Sequence, residues 1–398
     1  MDPGVLRRWL LRAIGALGVV AVGLIVLPPP SPPATPAIVV HWANGHLAGD
    51  DDLLPTFARR FNAAGYRTSH GSPIEVRVSL VNSSVIRREL LSRAGGFPVN
   101  RNLQPPAVVT PVSEQLLNEI NGLLQQPMFE LSETRPLVKT WIGIATYRDM
   151  AQCLGWPTRE IGYADIVRLA SNPKGWTEAG CYRPDWVSEQ PLRSATDPNS
   201  STTGRSILYS LYSIATGKRP EELVQSDIGQ PEVANAVEQF VNAAAHYVPD
   251  TLLLNCEIFR GPAYGHFFPI AEDNLVKLYK GKVVATDPEL QRLFPCQEPV
   301  GPITRDMVMI YPREGSTANT HPAALVRAPW VDGDQEEGAR RWIQFLSEDR
   351  QQAAFMEQGF RPATQLPLGC PICGQYGSCP SRAASRDRLE YPTCSGSY

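Results

Sequence analysis

The sequence predicts an α/β protein of two cored lobes behind one apolar N-terminal helix. Three observations lead there. Ala37–Trp42 (AIVVHW) is a β-branched run suited to a buried strand, Leu53, Leu54, Phe57, Ala58 and Phe61 form a helical stripe, and Ile74–Leu80 (IEVRVSL) alternates apolar with polar. The chain therefore opens β-α-β. Further on, Val233, Ala236, Val237, Phe240, Val241 and Ala244 keep helical spacing on one face. Finally, 398 residues at 43% hydrophobic and 19% charged content suffice for two cored lobes or two ordinary domains.

In chain order, the loop Ala43–Asp52 (ANGHLAGDDD) lies beyond the first strand's carboxyl end, where open α/β sheets bind ligands. Asn44 and Gly45 are candidate contacts there. The second strand runs into Val81–Ile86 (VNSSVI), whose hydroxyl pair Ser83 and Ser84 opens a helix. Arg101–Pro111 (RNLQPPAVVTP) holds a short strand whose end carries Thr110 toward the same edge. Near the other end, Asp334 and Glu337 form a D-x-x-E capping box for a helix burying Trp342, Phe345 and Leu346. A second helix runs to a cap at Gly359.

The most informative stretch is Thr196–Tyr212 (TDPNSSTTGRSILYSLY), a polar loop joined directly to an apolar helix. Leu208, Leu211, Tyr212 and Ala215 give the buried stripe, and Gly217 the stop. Ser200, Ser201, Thr202 and Thr203 then sit at the first turn, where unpaired N–H groups and the helix dipole favour an anion. Gly204 would let a ligand approach the backbone, and Arg205 would add a charge-assisted fork if turned toward it. A plain N-cap explains the same hydroxyls, because Ser and Thr cap helices generally.

This stretch resembles the second-lobe ligand loop of bacterial extracellular solute-binding proteins with the type 2 periplasmic-binding fold. Pro136–Gly175 (PLVKTWIGIATYRDMAQCLGWPTREIGYADIVRLASNPKG) is similar to the crossover strand and helix of the subgroup often fused to a von Willebrand factor A domain. IYPREGST, HPAALVRAPWV and QGFRP follow within Met309–Pro362 in that subgroup's order. The resemblance spans most of residues 37–365. It implies a first lobe of residues 37–137 and 304–365 and a second of 138–303, with crossovers at Leu137–Ala145 and Gly301–Tyr311. Both early loops would face the cleft between the lobes, with Tyr311 as a further contact. Ala271–Tyr279 (AEDNLVKLY) matches a family helix, and Glu272 is either a cleft-facing group or a solvated first-turn carboxylate. No D-x-S-x-S motif is present, so adhesion through a von Willebrand factor A domain is not expected.

Arg7, Arg8 and Arg12 precede the apolar run Ala13–Leu27, and Pro28–Pro36 (PPPSPPATP) follows. Residues 1–27 read as a signal peptide or an uncleaved signal anchor; no A-x-A site is evident, which favours the anchor. Either reading exports the bulk of the chain, because the arginines stay inside, and residues 28–36 form a stiff stalk. The expected location is the cell membrane, single-pass, with the bulk outside the cytoplasm. Eight cysteines fit that compartment. Cys153 with Cys181 and Cys256 with Cys296 each lie within one stretch of the second lobe and are the expected disulfides. The tail, residues 366–398, holds Cys370, Cys373, Cys379 and Cys394, which suit a four-thiolate zinc site or disulfides; oxidising surroundings favour disulfides.

A formal charge of −3 gives no reason to expect a nucleic-acid partner. No G-x-S-x-G, H-E-x-x-H or G-x-x-x-x-G-K-[ST] pattern occurs, so neither an enzyme nor a cofactor is expected. His41 and His46 stand near Asp50, Asp51 and Asp52, yet acidic loop runs are usually just solvated, and no metal is expected. The sequence reading is a tethered solute-binding protein that captures a small molecule or anion for a transporter permease or another membrane protein. Its expected contacts are Asn44, Gly45, Ser83, Ser84, Thr110, Thr202, Thr203, Gly204, Arg205 and Tyr311. The alternative is a ligand-free envelope scaffold or protein-interaction module on the same fold.

Overall fold

A computed structural model of the chain describes residues 35–48, 53–218, 222–242, 244–249, 251–281 and 302–363. The expected anchor, most of the stalk, Asp50–Asp52, Cys296 and the cysteine tail lie outside these residues. The strands are β1 Ala37–Ala43, β2 Ile74–Leu80, β3 Val108–Thr110, β4 Arg135–Pro136, β5 Val138–Tyr147, β6 Arg193–Thr196, β7 Ala244–Val248, β8 Phe267–Ala271, β9 Met307–Ile310, β10 Ala318–Asn319, β11 Pro322–Leu325 and β12 Arg361–Pro362. The longer helices are α1 Leu53–Ala63, α2 Ser83–Ala94, α3 Glu114–Leu123, α4 Tyr163–Ser171, α5 Thr202–Thr216, α6 Pro231–Asn242, α7 Thr251–Ile258, α8 Glu272–Lys280, α9 Gly333–Leu346 and α10 Asp349–Glu357.

Two mixed sheets result. The first has the order β2-β1-β3-β11-β4, with β1 parallel to both β2 and β3. Alternate residues of β1 serve opposite faces: Val39 packs with Phe57, Phe61, Trp342 and Phe355, whereas Val40 and Trp42 pack with Ile86, Leu117 and Ile120. Helices α1, α9 and α10 therefore cover one face, and α2 and α3 the other. The second sheet runs β10-β5-β8-β6-β7, with β9 and β12 also on β5 and β6 parallel to β7. Its core gathers Ile142, Ile144, Ile166, Trp176, Ile207, Phe240, Phe267 and Phe268.

Two expectations are corrected. Met307–Ile310 pairs with β5 over Ile144–Tyr147 and packs in the second core, so it is no return strand. The chain rejoins the first sheet only at β11. Likewise the α9 capping box is Asp332 with Gln335: Gln335 N–H donates to Asp332 Oδ1 at 2.8 Å, and Asp332 N–H to Gln335 Oε1 at 3.0 Å. Asp334 instead accepts from Ser72 Oγ, and Glu337 from Ser69. Of the expected disulfides, Cys153–Cys181 is formed, with Cα atoms 5.9 Å apart.

Trp342 is fully buried among Phe61 and Phe345, and its Nε1–H donates to His41 Nδ1 at 3.1 Å. Trp342→Ala should cost about 3–5 kcal/mol of unfolding free energy, read from the midpoint of a denaturant titration.

Candidate functional site

Parallel strands deliver their following loops to one edge, and here both sheets do so toward the same cleft. From the first lobe come Asn44, Gly45 and His46 after β1, Asn82 after β2 and Val112 after β3. From the second come Ser201, Thr202 and Thr203 after β6, and Thr251 and Leu252 after β7. They border one small pocket that opens to solvent.

Helix starts dominate the lining. At α5 the cap is Ser201, whose Oγ accepts from Gly204 N–H at 3.2 Å. The plain-cap reading thus holds for Ser201, and it leaves the N–H groups of Thr202 and Thr203 unpaired among the described residues. Gly45, Thr251 and Leu252 add three more N–H groups without a hydrogen bond among those residues. Five peptide donors and several neutral hydroxyls therefore border one cleft, a set suited to acceptor oxygens.

The sequence-derived contacts divide. Asn44, Gly45, Thr202 and Thr203 line the cleft. Ser83 stands behind it, its Oγ accepting from Asn44 Nδ2 at 3.0 Å and Val112 N–H at 3.1 Å, which ties three loops together. Ser84 turns back to its own cap, Asn82 Oδ1. Thr110 is buried against His41: Trp342 donates to His41 Nδ1, so Nε2 carries the hydrogen given to Thr110 Oγ1 at 2.8 Å. The space beside Gly204 is taken by the Thr196 carbonyl, 2.5 Å from where a Cβ would stand, so this glycine serves the packing of α5 on β6. Arg205 points away from the cleft, to Pro198 O and across to Glu119 on α3 at 3.2 Å, where Arg87 also pairs. Tyr311 donates to Glu272, which is neither cleft-facing nor solvated but buried against Arg361 and the Trp141 N–H.

Sequence reasoning passed over His46, Asn82, Val112, Ser201, Thr251 and Leu252 as contacts. Thr251 had a legible signal, a hydroxyl directly before the apolar run Leu252–Leu254. His46 had none, because its role depends on a partner 227 residues away. Its Nδ1 lies 3.1 Å from Asp273 Oδ2, and Lys277 Nζ reaches both that oxygen at 2.9 Å and the His46 carbonyl at 2.8 Å. Thr140 Oγ1 on β5 donates to Asp273 Oδ1 at 3.1 Å. Burial opposes the Asp273 charge, but Lys277 and His46 outweigh it and hold the carboxyl far below its usual range. His321, its ring centroid 6.1 Å from that of His46, is pushed down to about 3, by burial first and then by His46. Burial also lowers His41 to about 3 and His266 to about 4.

No family model and no curated protein sequence matches the chain. Among solved structures, a periplasmic thiamin binding protein aligns at a TM-score of 0.54 over 87% of this chain and 90% of its own, with 12% identity. Maltose-bound MalE3 of T. maritima gives 0.50 over 82% and 81%, at 13% identity, and the SBP RafE in complex with raffinose gives 0.50 over 82% and 83%, at 12%. The fold is therefore the two-lobed, type 2 periplasmic-binding architecture. At such identities the likeness is one of fold, and function rests on the cleft.

Two outcomes are expected. Each lowered histidine takes a proton in the unfolded chain near 6.5 but in the fold only near 3 or 4, so the unfolded state is favoured as pH falls through that window. Lowering pH from 7 to 5 should cost on the order of 1–2 kcal/mol per such histidine, and His321→Asn should flatten the fall in denaturant midpoint. Gly204→Ala should destabilise by about 1–3 kcal/mol through the clash with Thr196, read as a lower melting temperature.

Proposed function

We propose that this chain is an extracytoplasmic solute-binding protein, tethered through residues 1–27, that captures a small polar solute by closure of its two lobes. The observation that carries the proposal is the shared cleft: five strand ends from two sheets place hydroxyls, and N–H groups unpaired among the described residues, around one space. Such groups replace the water around a solute's oxygens, and an anion suits them better than a cation. The fold neighbours support the reading, one being named for thiamin and two having been solved with maltose or raffinose. The work is capture rather than catalysis, with delivery to a membrane permease as its purpose.

The test is a thermal-shift screen of the purified full chain against oxyanions, sugars, amino acids and divalent metals. A true solute at 100 times its dissociation constant should stabilise the fold by about 2.7 kcal/mol. Thr202→Ala with Thr203→Ala should weaken binding by about tenfold or more by removing two cleft hydroxyls. Folded protein that responds to no compound would favour the scaffold alternative instead.

A further inference from the structure

The first strand begins at Ala37, next in sequence to the proposed stalk and tether, and its amino end lies on the sheet edge opposite the cleft. Helices α2 and α3 start at the cleft, after Asn82 and Val112, and run back along the sheet, so their last turns reach that far edge. The chain leaving α2 then returns through Ala107, whose N–H donates to Val40 O at 2.8 Å, before β3 starts. Ile38 in β1, Leu91 and Leu103 on either side of the turn after α2, and Leu124 after α3 all pack against one core. The start of the fold and the ends of both helices therefore share one edge.

This edge shows apolar side chains to solvent. Phe97 is 68% exposed, the most of any large hydrophobic residue among the described residues, and Leu123 is 58% exposed. The charges beside them are of one sign. No carboxylate occurs between Glu89 and Glu114 or between Glu119 and Glu130, whereas Arg93 and Arg101 flank Phe97 in the chain. Arg93 is bonded to the carbonyls of Asn100 and Leu103, and neither arginine forms an ion pair with a described residue. Glu130 and Glu133, past the end of α3, are matched by Arg327 and Arg340.

We propose that this edge of the first lobe is a membrane-docking surface, with Phe97 and Leu123 entering the interfacial layer of a bilayer and Arg93 and Arg101 meeting anionic headgroups. This rests on the tether reading above. Residues 28–36 span at most about 30 Å even fully extended, so the edge that they enter is the part of the fold kept beside the bilayer. An aromatic ring suits the interfacial layer, and arginines near the surface add attraction to acidic lipids. Docked in this way, the first lobe is held still while the cleft faces away from the bilayer, a pose for collecting solute. Delivery to a permease then requires the edge to lift.

The experiment is hydroxyl-radical footprinting of the full chain in nanodiscs of phosphatidylcholine alone and of phosphatidylcholine with phosphatidylglycerol, read at Phe97 and Leu123. Labelling of both should fall by about fivefold or more in the anionic discs, and about 1 M salt should restore it. Val187, 62% exposed on the second lobe, should be labelled alike in both lipids. Arg101→Gln, a change at an exposed position, should recover about half of the lost labelling or more. Equal labelling of Phe97 and Leu123 in the two lipids would overturn the proposal; if equally low, the chain itself or a second copy covers the edge. Protection that neither salt nor Arg101→Gln reduces would overturn it too. A chain that does not enter discs at all removes the tether and this surface together, while the solute screen still tests capture on its own.

Discussion

A buried carboxylate, Asp273, sits where the two lobes meet. Asp273 begins a second-lobe helix, yet its partners come from everywhere: His46 from the first-lobe loop after β1, Thr140 from the crossover strand, Lys277 from the next turn of its own helix. A charge so buried is tolerated only while these partners stay in place. The constraint works in both directions. It fixes the register between α8 and the His46 loop, and with them the wall of the cleft.

The crossover strand β5 is the other half of that constraint. Along its ten residues it pairs with β12, β10, β8 and β9, so displacement of β5 would be felt by most of the second sheet. Thr140 on this strand touches Asp273, and Trp141 N–H reaches Glu272, which Arg361 neutralises. Hinge and charge pairing are thus one structure. The pair Arg205–Glu119 joins the lobes again, but both partners are partly exposed and such pairs contribute little. The deep network, not the rim, holds the lobes together.

The cleft itself is made almost without charged side chains. Peptide N–H groups at helix starts supply fixed partial positive charge at no side-chain entropy, and Ser201 caps α5 so that Thr202 and Thr203 keep theirs available. Strand order brings this about. Because β1, β2 and β3 share one direction, as do β6 and β7, their following turns converge rather than scatter.

Short-range periodicity determined much of this protein in the sequence alone. The β1-α1-β2 start, the span of α5 between its hydroxyl cap and Gly217, and the buried Val233, Val237 and Phe240 of α6 all depend on residues within a few positions of one another, whereas Ala236 is exposed and Ala244 joins β7. The Cys153–Cys181 bridge was legible because both cysteines lie in one stretch. Tertiary structure decided the rest. Met307–Ile310 is placed by its pairing with Ile144–Tyr147 of β5, a partner distant in the chain that no local pattern encodes. Asp332 took the α9 cap from Asp334 because Ser72 engaged Asp334 instead. Arg205 left the cleft for Glu119, 86 residues earlier, and His46 entered it because Asp273 stood waiting across the hinge. Side-chain direction is set by distant partners, and those exist only once the chain has folded.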